Sequence, residues 1–352
     1  MFFLRSHPKR AVRPPKYGWE KLFEYIWENR DNLSYAWKIL NHGVCDGCAL
    51  GTTGMKDWTI DGVHLCNVRL RLLRLSTIGA MDSSQLADVE PLMKLRSRDL
   101  RAMGRLPEPM IRRRGDKGFT PMSWDDAITL IADKIKATVP DRTYYYLTSR
   151  GIPNETYYAV QKAVRAMGTN NVDNAARICH SPSTFGLKSA LGVAATTCSY
   201  SDLIGTDSVT FFGSNVANNQ PVMMKYLYHA KKAGTKIVAV NPYREPGMEK
   251  YWIPSDVESA MFGTKITDRF FQVRAGGDMA FLHGTVKHVI EQKLYDAQFI
   301  EAHTAGFEDL KTYLETLSWD ELEQGSGVSK DEMHAYAQMI AEAKKAVFVW
   351  GM

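Results

Sequence analysis

Between Ala176 and Ser183 the chain reads Ala-Arg-Ile-Cys-His-Ser-Pro-Ser, and its adjacent Cys179 and His180 are of types that do chemistry. A thiolate binds soft metals or attacks as a nucleophile, and an imidazole takes or gives a proton near neutral pH. Ser181 suits a helix N-cap and Pro182 the first helical position, where a missing N–H costs nothing. A cysteine just before a helix start feels its positive end. That field, with Arg177 two residues back and His180 alongside, favours the thiolate. The competing reading is an inert cysteine packed in a loop.

A second constellation is Cys45-Asp46-Gly47-Cys48, with Cys66 further on. A Cys-x-x-Cys turn lets two thiolates converge on one metal, and by itself it leaves zinc, an iron–sulfur cluster and a redox dithiol open. The dithiol wants a thioredoxin-like strand and helix around it, and zinc wants four ligands, with His42 or His64 needed beside the cysteines. Cys66 follows Thr59 to Leu65, which reads as strand and turn.

From Asn171 to Pro242 the order and spacing resemble the molybdopterin oxidoreductases, specifically the formate-dehydrogenase-like branch. Pro109 to Arg113 and Ser123 to Ala127 are similar to the same family. The resemblance implies that Cys179 is a ligand of molybdenum or tungsten and that His180 moves protons. It implies a bis-molybdopterin guanine dinucleotide cofactor contacted by Gly213, Asn215, Asn218, Asn241, Pro242, Gly276 and Asp278. It also favours a 4Fe–4S cluster on Cys45 and Cys48. Here the chain departs from the family's usual pattern, because Ala49 to Leu65 holds no cysteine and none lies between Asn67 and Ile178. The family's lysine after its fourth cysteine has no clear counterpart.

The elements that must position these residues follow from periodicity. Residues 1–17 are basic and proline-containing and read as an arm. Trp19 to Leu40 carries aromatics and leucines at helical spacing, broken near Asp31-Asn32, which predicts two short amphipathic helices. Met81 to Met103 reads as helical and polar-faced. Ser123 and Asp126 have capping-box spacing before a helix whose apolar face is Ala127, Ile128, Ile131 and Ile135. Tyr144 to Thr148 reads as a strand, and a helix from about Glu155 buries Val160, Ala163, Val164 and Met167. Thr169 to Ile178 then reads as a loop presenting Cys179.

Asp207 to Phe212, Pro221 to Gly234 and Lys236 to Val240 form a strand–helix–strand unit of the length a parallel crossover needs. The turn Gly213-Ser214-Asn215 lies at the carboxyl end of a strand, where open α/β sheets bind ligands. It lacks Gly-x-Gly-x-x-Gly, so nothing marks a nicotinamide dinucleotide site. Backbone N–H groups and Asn side chains there suit phosphate or pterin. Asp278, after Gly276-Gly277, can cap the helix that follows or accept from guanine N–H groups while the glycines let the base approach. His303 reads as structural. Leu310 to Ala343 reads as helical, and Ala346 to Trp350 as a strand.

The fold expected is therefore α/β: an iron–sulfur-type segment, then a doubly wound, mostly parallel sheet. The division expected is an arm with helices over residues 1–40, the cluster-bearing segment over 41–106, and the pterin-binding region over 107–352. Because the last strand stops at Gly351-Met352 and members of the family continue well beyond that point, the resemblance implies the N-terminal portion of a longer enzyme, incomplete at its C-terminus.

Composition bounds the function. The 352 residues are 45% hydrophobic and 24% charged, the make-up of a globular chain. The net charge of +5 is mild and basic residues are scattered apart from Arg112-Arg113-Arg114, so no nucleic-acid footprint stands out. Five cysteines with no even framework favour a reducing compartment. No apolar run approaches the ~18 residues of a membrane span, and the N-terminus lacks signal-peptide features. A cytoplasmic enzyme is expected, acting on a small molecule, with formate oxidation as the leading reaction and an electron-transfer protein as partner. The alternatives are a catalytically incomplete fragment or interaction module, and a hydrolase or transferase using Cys179 and His180 as nucleophile and base.

Overall fold

The computed structural model describes residues 18–42, 54–56, 59–148, 152–193 and 195–351. Two amphipathic helices open it, α1 (Gly18–Glu28) and α2 (Leu33–His42), as the aromatic spacing predicts. They pack on α3 (Asn67–Thr77), whose N-cap is Cys66; its Sγ accepts the Arg69 N–H at 3.2 Å. Between Met81 and Met103 there is no continuous helix. Asp82 caps a short 3-10 turn at Ser83–Leu86, Pro91 precedes another at Leu92–Lys94, and only α4 (Ser97–Ala102) is α-helical. Short polar side chains that bond nearby amides compete with the helix ladder in this stretch.

A two-residue antiparallel pair follows, β1 (Met110–Ile111) with β2 (Thr120–Pro121). Ser123 then caps α5 (Trp124–Lys136), accepting the Asp126 N–H at 3.1 Å. Its apolar face is not buried as expected: Ile128 and Ile131 are 60% and 59% exposed. Next come β3 (Tyr145–Leu147), α6 (Asn154–Ala166) and β4 (Val172–Asn174), with β3 and β4 paired in parallel. The strand at Val172 replaces part of the loop expected from Thr169, because its β-branched residue finds a partner in Tyr145. On α6 only Val164 is fully buried, while Ala163 and Met167 face solvent. After a 3-10 turn at Ala175–Arg177 comes α7 (Ser181–Leu191).

The main sheet is built from β5 (Ser208–Phe212), β6 (Lys236–Val240), β9 (Arg269–Phe271) and β10 (Ala346–Trp350), all parallel in the order β10-β5-β6-β9. Between β5 and β6 lie α8 (Val216–Asn219) and α9 (Met223–Lys232). Between β6 and β9 lie α10 (Pro246–Glu249), β7 (Lys250–Tyr251), α11 (Val257–Phe262) and β8 (Thr264–Lys265), with β7 and β8 an antiparallel pair. Between β9 and β10 run α12 (Asp278–Glu291), α13 (Ala297–His303), α14 (Phe307–Thr316), α15 (Trp319–Ser326) and α16 (Lys330–Glu342). The stretch expected to be helical from Leu310 to Ala343 is thus helical but divided by two breaks. Ser318 and Glu321 form a reciprocal capping box, and Gly327, at φ +74, ends α15 in the left-handed region.

Side-chain alternation divides the core in two. Val209, Phe211 and Ile237 pack with α8 and α9 residues such as Ala217, Tyr226 and Leu227 on one face of the sheet. Phe212, Val238, Val240 and Phe271 pack with Phe281, Leu322, Met333 and Tyr336 on the other. Period-two strands buried on both sides are what a helix-covered parallel sheet requires. The segment before α3 is pinned to the first face: His64 Nε2 lies 3.0 Å from the Val222 carbonyl oxygen, and the Lys225 ammonium donates to that of Asp61 at 3.2 Å. Among the described residues no helix is long and apolar enough to cross a membrane.

Candidate functional site

From β5 the chain steps to β6 and β9 on one side and returns to β10 on the other, so the connections reverse at β5. A crevice forms outside the carboxyl ends of strands at such a reversal. Gly213 makes the turn at φ +61 and donates its N–H to the Val240 carbonyl at 3.0 Å. The buried Asn241 donates its side-chain amide to the Ser214 carbonyl at 3.3 Å and its backbone N–H to that of Phe271 at 3.2 Å. Gln272 Nε2 donates to the Pro242 carbonyl at 3.1 Å. Three strand ends are therefore stitched together by main-chain acceptors.

The cleft they frame has a volume of about 520 Å³. Six residues expected from the sequence line it: Gly213, Asn215, Asn241, Pro242, Gly276 and Asp278. Asn218 is not in the lining; Asn219 is, because the helical turn of α8 puts residues four apart on one face and carries 218 away. Sequence reasoning also missed Tyr243, Glu245 and Ala275. Only their proximity to Pro242 and Gly276 marked them, since α10, which carries the chain away after Glu245, had no periodic signal.

The cleft's chemistry is specific. Among the described residues its lining holds two carboxylates, Glu245 and Asp278, and no lysine or arginine. Asn215 Oδ1 is buried without a hydrogen-bond partner among the described residues, an acceptor whose desolvation none of them offsets. A side chain built on Gly276 would meet nothing within 4 Å, so the wall there is open to a flat ligand. Asp278 does not cap α12. Gly277 is the N-cap and makes no side-chain bond, which leaves the carboxylate to the cleft. Acceptors without basic groups fit the N–H edge of a purine better than they fit phosphate. A second hollow of about 520 Å³ lies between α13 and α14, lined by Tyr295, Ile300, Glu301 and Phe307 among others. It sits away from the strand ends and holds none of the sequence-predicted residues.

Cys179 and His180 stand at the carboxyl side of β4, at the start of α7. His180, rather than Ser181, occupies the N-cap position, and Pro182 sits in the first turn. The Ser181 hydroxyl donates back to the Ala176 carbonyl at 2.9 Å, which ties the turn to the helix. The Cys179 N–H donates to the Ala175 carbonyl at 3.0 Å and its side chain is half-buried. Arg177 is not directed at the thiol; it pairs with Asp173 at 2.7 Å and thereby holds that carboxyl below the usual carboxylate range. His180 Nδ1 lies 3.2 Å from Thr184 Oγ1 on its own helix, so the ring is oriented by Thr184 rather than by Cys179. Neither residue is part of the cleft lining. Cys45 and Cys48 lie outside the described residues, and among the described residues no group of three His, Cys, Asp or Glu side chains converges on a metal position.

The family model for molybdopterin oxidoreductases matches residues 105–352. Formate dehydrogenase H of Escherichia coli (strain K12) is 35% identical over 253 residues, covering 70% of this chain and 33% of that protein. A formate dehydrogenase subunit alpha of Methanococcus maripaludis is 32% identical over 249 residues, covering 70% of this chain and 34% of its own length. The matches thus span about a third of the curated relatives. Among solved structures, acetylene hydratase from Pelobacter acetylenicus superposes with a TM-score of 0.59 over 88% of this chain and 40% of its own, at 20% identity, which is a likeness of fold.

Proposed function

The chain belongs to the molybdopterin oxidoreductase family, and on that premise we propose that it forms part of an enzyme that oxidises formate to carbon dioxide. The observation that carries this reading is the cleft at the β5 switch point, where six residues expected from sequence share one wall-to-wall site with an unpartnered buried acceptor. In this reading the acidic cleft would receive the guanosine end of a bis-molybdopterin guanine dinucleotide. Asp278 would accept from the base N–H groups, Asn215 Oδ1 would take a further donor, and Gly276 would leave room for the ring. Cys179 Sγ would hold the metal.

A molybdenum or tungsten pterin, when bound, supplies the two-electron acceptor. Formate loses a proton and two electrons as carbon dioxide forms. His180 Nε2 takes that proton, since Nδ1 is engaged with Thr184. Cys45 and Cys48 are proposed ligands of a 4Fe–4S cluster in residues 41–106, passing electrons singly to an electron-transfer protein. The thiols of Cys179 and Cys198 support a reducing, cytoplasmic location.

Elemental analysis of protein purified without oxygen, as this chain and within its full-length form, tests the reading. Molybdenum or tungsten should fall in Cys179→Ser with iron retained, and iron should fall in Cys45→Ser. Wild-type full-length protein that carries neither molybdenum nor tungsten would leave the reading without its catalyst.

A further inference from the structure

The helix layer that backs the cleft contains a pair of histidines that the proposed chemistry does not use. His288, on α12, and His334, on α16, stack with ring centroids 3.7 Å apart and planes 22° from parallel. Trp319, at the start of α15, closes on His334 edge-on at 4.8 Å. Among the described residues His288 Nδ1 and His334 Nε2 both are buried without a partner. The helices have little slack here, since a side chain on Gly284 would come within 2.3 Å of the Met333 sulfur.

Two neutral imidazoles tolerate this contact as aromatic packing. Protonated, each ring gains a charge against a like charge at van der Waals distance, and its buried nitrogen becomes a donor with no acceptor. The charged groups around the pair do not cancel this. From α16, Lys330 lies over the Trp319 ring at 4.7 Å and opposes protonation, whereas Asp331 favours it. From α12, Glu291 favours it but is shared with Lys287 at 3.7 Å. From α15 the facing group is the uncharged Trp319. Burial, then His288, then Lys330 hold His334 below the ordinary histidine range.

The same helices reach the cleft. Asp278, the first residue of α12, lines it. The adjoining wall hangs from the far end of α15: the Arg274 N–H donates to the Ser326 carbonyl at 2.7 Å, Arg274 Nη1 to that of Gln324 at 2.9 Å, and the Gly277 N–H to that of Arg274 at 2.8 Å. We propose that the His288–His334 stack is a pH-sensitive latch, closed when both rings are neutral and opened by acid, which loosens the helix layer bracing the Gly276–Asp278 wall. The latch itself stands without any reading of what the cleft binds.

The sign follows from a folded-state pKa below the unfolded one. Stability is unaffected above the unfolded value of 6.5 and declines as pH falls from there toward the folded value. The test compares this chain with the double variant His288→Phe/His334→Phe, which keeps two stacked rings and removes both titrations. Thermal unfolding midpoints between about pH 7.5 and 5.5 should fall by a few degrees more in the wild type than in the variant. Amide exchange over residues 275–291 and 330–342 should accelerate in acid only in the wild type. Equal acid losses in the two proteins overturn the proposal. Should the variant not fold, proton NMR titration of the wild-type His334 imidazole decides: a midpoint below the ordinary range supports the latch, and one at or above it sinks the idea. No readout involves metal or cofactor, so the outcome is separable from that of the formate reading.

Discussion

Replacing Arg69 by methionine should destabilise the N-terminal helices well beyond a surface change. Arg69 is 6% exposed, and its guanidinium donates to the carbonyls of Gly54 at 2.5 Å, Ile39 at 3.1 Å and Leu40 at 3.3 Å. Ile39 and Leu40 lie in the last turn of α2, where carbonyls have no partner within the helix. Gly54 lies so close that a side chain there would sit 2.2 Å from the Asn41 oxygen. One buried fork thus joins the chain on either side of residues 43–53, which contain Cys45 and Cys48. Hydrogen bonds to a charged group contribute about 1.5–3 kcal/mol each, but two of these are long. Among the described residues Arg69 Nε is buried without a partner, a cost that methionine relieves. The balance is a loss of about 2–4 kcal/mol, with packing of the aliphatic stem preserved. Urea unfolding followed by far-ultraviolet circular dichroism, wild type beside Arg69→Met and Arg69→Lys, measures it. Lysine should recover part of the loss, because it keeps the charge without the fork. A loss below about 1 kcal/mol for methionine would refute the clamp, since that is within what an ordinary substitution costs.

Gly351→Ala should disturb the cleft from the β10 side. Its Cβ would stand 2.4 Å from the Gly213 oxygen while the Gly351 N–H is held at 2.7 Å by the Phe212 carbonyl, so strand ends rather than a flexible side chain must move. A stability loss of about 1–3 kcal/mol is expected, and unchanged unfolding would show that the two ends are not in register. Asp278→Asn should weaken binding of guanosine diphosphate, measured calorimetrically, by roughly tenfold to a hundredfold, because one charged acceptor of two N–H groups becomes a mixed donor and acceptor. Asp173 is held low by Arg177, so the stability of the Cys179 turn is present above the unfolded value of 3.8 and fades as pH falls through the lower folded value. In Arg177→Gln that acid-induced change, followed by the Asp173 carboxyl NMR shift, should move up toward the unfolded value.

Much of the sheet was legible because nearly continuous apolar runs such as Ser208–Phe212 and Lys236–Val240 carry their burial in their own composition. The first helices were equally clear from Trp and Leu spacing. Two stretches read as helical, Met81–Met103 and Leu310–Ala343, hold breaks that apolar spacing does not register, because a side chain captures a nearby amide. Asp82 and Ser318 each do so, and each interrupts or restarts the backbone. The apolar face of α5 shows the converse, a pattern correctly read as helical whose burial depends on what packs against Ile128 and Ile131.

By itself, the sequence determined which residues can do chemistry and which strand ends could present them. Glycine, asparagine and proline after an apolar run signal a turn at a strand's carboxyl end wherever that strand lies. Tertiary structure alone decided that Gly213, Asn241 and Asp278 face one another, because their meeting depends on β5, β6 and β9 lying side by side in the sheet. It alone exchanged Asn218 for Asn219, through the phase of a single helical turn, and it alone stacked His288 on His334. Strand order, helical phase and the pairing of distant helices are set by packing between segments far apart in the chain, and no local spacing encodes them.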